Sequence, residues 1–292
     1  MGTRHLILVW YKGKWHIAQY GQWDGYPGGQ GMTVFRFLTN TDTAKDICKR
    51  LNLTDDCGPR YPIKTEPYST EPAPAKENIA ALKAALDNDI LFSPSQEEVD
   101  IICEKAEEVE REAQKLSEAL SKQSNSEKDS VVRDALIPRS FFLSDARFRS
   151  LLFVEPSLAR DTGAGILSYV AYSKEKVPIQ MDVEFIMDSM MCEWAYVVDL
   201  DAELLEVYNG GISSEGYIDE GPNRFDEEEF IKGGEYGKKR PRLLVKLGFG
   251  ELLDLGEEDF VKKCEMEAER EPREDEVDEV DEVDLNAEVL YA

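Results

Sequence analysis

The sequence predicts an α+β fold: a mainly antiparallel sheet from an N-terminal hairpin and late strands, with helices packed against it. Three observations carry this. "HLILVWY" (5–11) and "WHIAQY" (15–20) are runs of β-formers joined by a short turn. "EWAYVVDLDAELLEVYNGG" (193–211) reads as a second strand pair around an acidic turn, and "RLLVKLGF" (242–249) as one more strand. Between them lie segments whose apolar residues recur at helical spacing. The expected strands are 4–11, 15–20, 193–200, 204–209 and 242–248, and the hairpins must share one sheet because neither is stable alone.

In chain order, the first turn carries Gly13, and a glycine-rich loop, "YGQWDGYPGGQG" (20–31), follows the second strand. "MTVFRFLTN" then opens a helix continued by "TAKDICKRLN" (43–52), completing an N-terminal unit, 1–57. Five prolines in 58–75 remove backbone donors and disfavour helix at each preceding residue, so this stretch is an extended linker. A helical insertion occupies 76–130. "AKENIAALKAALDNDI" is a short helix, and Val99, Ile102, Ala106, Val109, Ala113, Leu116 and Leu120 repeat at steps of three and four. Such a seam suits a helix packed on its own chain, or an intermolecular coiled coil that makes the protein a self-associating scaffold. Residues 131–264 complete the α+β core. "VVRDALIPRSFFLSDARFRSLLF" is read as helical around Pro138, Asp161 or Thr162 caps a helix bearing Ile166, Leu167 and Val170, and "EFIMDSMM" is a short apolar helix. From 265 to 292 dense like charge with few large apolar residues predicts a disordered acidic tail. Its "EVD" repeats offer a weak docking motif for a protein partner, or merely a solvating surface.

The net charge of −26 over 292 residues is unevenly spread. Residues 1–75 hold nine Lys/Arg against seven Asp/Glu, whereas 251–292 hold four against eighteen. Such a chain repels phosphate backbones, which excludes nucleic acid as an expected partner. Five cysteines without CxxC spacing predict neither a disulfide framework nor a zinc site, and point to a reducing, cytoplasmic or nuclear compartment. No apolar run reaches the ~18 residues of a membrane helix.

The loop is the candidate site. It lacks the lysine of a phosphate-binding loop and the GxGxxG spacing, so no phosphate cofactor is expected. It offers Gln19, Gln22, Asp24 and Gln30 among Tyr20, Trp23 and Tyr26, groups that suit a small polar ligand or a peptide. Equally, "WDGYP" reads as a tight turn, with Asp24 bonding nearby amides, Gly25 at positive φ, and both rings packed on the core. His5 and His16 lie on adjacent strands, and with Asp24 they would make only a thin metal site; they are read as strand residues. Ser140, Ser144 and Ser189 show no triad order, and Asp199 and Asp201 are read as turn-formers.

"MGTRHL" (1–6), "AQYGQWDGYPGGQG" (18–31), "RDTGAGIL" (160–167) and "CEWAYVVDLDAELLEVYNG" (192–210) together resemble a mainly fungal family of uncharacterised proteins, with shorter relatives in bacteria and phages. The likeness covers about 1–50 and 140–210 and implies no particular reaction; the linker, heptad helix and tail look like additions to it. The hairpin and loop also resemble, at fold level only, N-terminal-nucleophile hydrolases. Their first residue attacks an amide while its own amine acts as base. Loss of Met1 leaves Gly2, which has no nucleophile, so the plan needs processing to Thr3. Arg4, His5 and Asp24 would then be anion binder, acid/base and orienting carboxylate. The leading expectation is a non-catalytic binding protein that uses 19–31.

Overall fold

The computed structural model describes residues 3–39, 76–123, 151–152, 154–188, 191–209, 223–228 and 241–270. The helical continuation at 43–52, the linker, all of 131–150 with Ser140 and Ser144, Ser189 and the tail beyond 270 lie outside these residues.

Strands β1 (His5–Tyr11) and β2 (Lys14–Gly21) form the N-terminal hairpin. Lys12 and Gly13 turn it at φ +50° and +72°, the left-handed pair that matches strand twist. Helix α1 (Met32–Thr39) follows a wide helical turn at Pro27–Gly31. Helices α2 (Lys76–Asp87) and α3 (Gln96–Gln123) flank the two-residue strand β3 (Leu91–Phe92), which pairs in parallel with β4 (Val177–Pro178) across helix α4 (Gly165–Tyr172). Strands β5 (Trp194–Asp199), β6 (Leu204–Asn209) and β7 (Arg242–Gly248) complete the sheet, and helices α5 (Phe249–Asp254) and α6 (Glu257–Glu269) follow.

The main sheet has the order β2-β1-β5-β6-β7. All pairings in this sheet are antiparallel except one, where β1 runs parallel to β5 from His5 opposite Trp194 to Trp10 opposite Asp199. The near-continuous apolar run of β1 explains its central place, since it is covered on both faces. Ile7 and Val9 meet a core shared with Phe35, Phe37, Leu82, Ile166, Tyr196 and Phe260, beneath the helices. Leu6 and Leu8 meet Ala18, Ile186, Cys192, Val197, Tyr208 and Phe225 on the opposite face.

Several local expectations are corrected. Asp161 and Thr162 do not cap α4: its N-cap is Ala164, with no side-chain cap, because Asp161 accepts the Trp23 indole and Thr162 bonds Pro156 O. "EFIMDSMM" is a 3-10 turn over Val183–Met187. Helix α6 extends past 265, held by Cys264 in the core and by Arg242, whose guanidinium donates to the carbonyls of Glu267 and Arg270. The heptad seam packs on its own chain at its start, where buried Ala106 and partly buried Ile102 join Leu151, Leu152 and Ala159.

Candidate functional site

The site is assembled where β1 begins and β2 ends. Strand alternation sends Arg4, Tyr20 and Gln22 to one face of the sheet and His5, Gln19 and Gly21 to the other.

On the helix side, the glycine-rich loop closes over His5. The imidazole lies across Gly21, where a Cβ would sit 2.1 Å from Cε1, and Gly25 approaches the His5 Cβ just as closely as its missing side chain allows. Neither ring nitrogen has a hydrogen-bond partner. Burial holds the His5 pKa down at about 3, opposed only by the Thr3 backbone. Gly25 N donates to Thr3 O at 2.9 Å, Tyr196 OH to Gly25 O at 2.8 Å, and Gln30 N to Asp24 O at 2.8 Å. Asp24, not Gly25, takes the left-handed conformation, at φ +55°. Gly29 is required beside it, because a Cβ there would lie 2.2 Å from Asp24 O.

The loop is tied as tightly to 159–164. Gln22 N donates to Arg160 O at 3.0 Å, Trp23 Nε1 to Asp161 Oδ1 at 3.1 Å, and Ala164 N to Gln30 Oε1 at 2.8 Å. Gln19 Nε2 donates to Ala159 O at 3.2 Å and to Tyr20 O. The side chains expected to reach for a ligand are therefore largely engaged within the chain. Gln19 is buried, Gln30 half-buried, and Trp23 and Tyr26 are 39% and 44% exposed on the outside of the loop.

On the opposite face an open groove of about 920 Å³ is lined by Arg4, Tyr20, Gln22, Met181, Asp182, Val183, Glu184, Phe185, Met191 and Glu228. Its floor is set by chain path: Met181 bridges Ala18 on the outer edge of β2, and Asp182 N donates to Ala18 O at 3.1 Å. The Tyr20 ring meets Phe185 edge-on at 4.8 Å, and its hydroxyl donates to Gln22 Oε1. Burial raises the Tyr20 phenol pKa, with the Arg4 guanidinium working against it. Burial likewise pushes the Asp182 carboxyl up. Glu228 accepts the Trp15 indole N–H at 2.6 Å.

Of the expected site residues the groove gathers Arg4 and Gln22, with Tyr20 between them. Thr3, Arg4, His5 and Asp24 are not brought together: the Thr3 carbonyl is held by the loop, Arg4 faces the groove, and His5 is sealed on the other face. His16 bonds Tyr11 O at the far end of the hairpin from His5. Among the described residues no cluster of three or more His, Cys, Asp or Glu is placed to hold a metal ion, and no helix is long and apolar enough to cross a membrane. Sequence reasoning missed the wall formed by 181–185 and Met191. Its signal was the mixture of methionines and carboxylates in "MDVEFIMDSMM", which departs from the composition of an ordinary core helix. No family model, curated protein or solved structure matches the chain.

Proposed function

We propose that the chain is a non-catalytic binding protein, and that its groove, rather than the loop surface, takes a small polar ligand or a peptide. The observation that carries this reading is the convergence of Arg4, Tyr20 and Gln22 with a Met- and Phe-lined wall around one concavity. Recognition sites of this kind combine apolar walls with a few polar groups that fix orientation. The loop then serves as a scaffold. Its backbone ties to 159–164 and Tyr196 hold the ends of β1 and β2 in register, and so set the rim of the groove. Membership of the mainly fungal family that carries the same signature is part of this reading. It is supported by contact in space between two of the blocks that mark it, 18–31 and 160–167.

The test is a titration of the full chain with a random heptapeptide pool, followed by backbone amide NMR. Shifts should concentrate at Tyr20, Gln22, Met181–Phe185 and Met191, and Gln22→Ala should diminish them. Shifts confined to other surfaces, or none at all, would remove the groove as the binding site.

A further inference from the structure

Granting that the groove is the binding site, its lining also narrows what it takes. Three carboxylates, Asp182, Glu184 and Glu228, face a single cation, Arg4, among the described lining residues. The Arg4 guanidinium lies close enough to the Tyr20 hydroxyl to oppose the rise that burial gives its pKa. Glu228 is held in place by the Trp15 indole. Around these charges stand Met181 and Met191, both exposed, together with Val183 and Phe185. Methionine is unbranched and polarizable, and adapts to the shape of an apolar partner. Exposed pairs of this kind are costly on a surface that contacts only water.

We propose that the occupant is a peptide segment presenting a Lys or Arg side chain next to an apolar one. The long methylene stem packs along Met181, Met191 and Phe185 while the cationic head lies among Asp182, Glu184 and Glu228. The adjacent apolar side chain fills the wall at Val183, and Gln22 and Arg4 serve the peptide backbone carbonyls. The same charge balance disfavours acidic segments, since like charges brought together at an interface select against the wrong partner. A cation beside Asp182 also offsets the effect of the burial that raises its pKa, since an opposite charge favours the ionised carboxylate.

Three capped tripeptides differing only at the centre, Leu-Lys-Leu, Leu-Gln-Leu and Leu-Glu-Leu, separate this proposal from the broader reading. Each is titrated into the full chain and followed at the amides of Gln22, Met181, Asp182 and Met191. The lysine peptide is expected to bind about fivefold to tenfold more tightly than the glutamine peptide, and the glutamate peptide more weakly still. Asp182→Asn and Glu184→Gln should each weaken the lysine peptide by about fivefold and leave the glutamine peptide unchanged. Equal binding of all three at these amides leaves the groove as a peptide site and overturns the preference for a cation. No shift at these amides with any peptide overturns both. Spermidine binding as tightly as the lysine peptide would overturn the peptide as occupant. Shifts that grow with protein concentration alone would give the groove to a second copy of the chain.

Discussion

His5 shows how a residue chosen for its chemistry is set by its surroundings. Its place on the Ile7 and Val9 face, under a loop of small residues, leaves the imidazole neutral, with no hydrogen bond to either ring nitrogen. An unfolded histidine titrates near 6.5, and in the folded chain His5 does so at about 3. The unfolded state therefore binds more protons as pH falls below 6.5. This contribution to stability is complete above that value and is lost progressively towards pH 3. At pH 4.5 the loss is about 2–3 kcal/mol. Urea unfolding of wild type and His5→Phe at pH 7 and pH 4.5 isolates it, because the many carboxylates act alike in both. The wild type should lose more stability than the variant by that amount, and equal losses would show that His5 is protonated while folded. The sequence placed His5 on a strand next to the loop, but not which face it would occupy.

At the level of elements, the segment 223–228 is fastened to the sheet by buried Phe225, by the Glu228 bond to Trp15 and by an ion cluster around Arg224. Arg224 donates from Nε to Glu206 at 2.7 Å and from Nη2 to Asp199, and its guanidinium lies 5.5 and 5.9 Å from the rings of Trp10 and Trp15. Lys246 reaches Glu206 at 3.0 Å, and Tyr208 OH donates to the same carboxylate. Burial works against the charged form of both groups, yet the carboxylates hold the Arg224 pKa above its usual value, and Arg224 with Lys246 holds Glu206 low. Removing one member of such a buried set leaves the others uncompensated. Arg224→Ala should therefore cost about 3–5 kcal/mol in denaturant unfolding, and Arg224→Lys should restore only part of it, since an ammonium cannot bond both carboxylates as a planar fork does. A cost under about 1 kcal/mol would show the cluster to be solvated. Asp199 was legible as a turn residue, and it does accept from Asp201 N and Ala202 N. The Asp201 carboxylate accepts from Lys12 N and Gly13 N of the other hairpin, partners 189 and 188 positions away that no local pattern encodes.

For the molecule as a whole, the helical insertion divides into unlike parts. Leu82, Ala85 and Leu86 of α2 lie in the main core with Phe37 and Val170, and buried Asn78 ties α2 to α1 by donating to Phe37 O at 2.9 Å. Among the described side chains of helix α3, Ala106 makes the buried contact, against Leu151, Leu152 and Ala159. Replacing 76–87 by a glycine-serine linker should abolish cooperative thermal unfolding, since three buried apolar side chains leave the core at once. Replacing 111–123 should leave it cooperative. The same outcome for both would make the insertion a single unit. The chain by itself determined the class of fold, the five strands and the helix starts at 32 and 76, because turn residues and apolar periodicity are written locally. Tertiary structure alone decided that β1 would pair in parallel with β5, that the loop's amides would be spent on 159–164, and that the hollow would open on the other side of the sheet, against 181–185 and Met191. Each of these joins segments more than a hundred residues apart, and which of them meet is selected by the packing of the entire core rather than by any one stretch of chain.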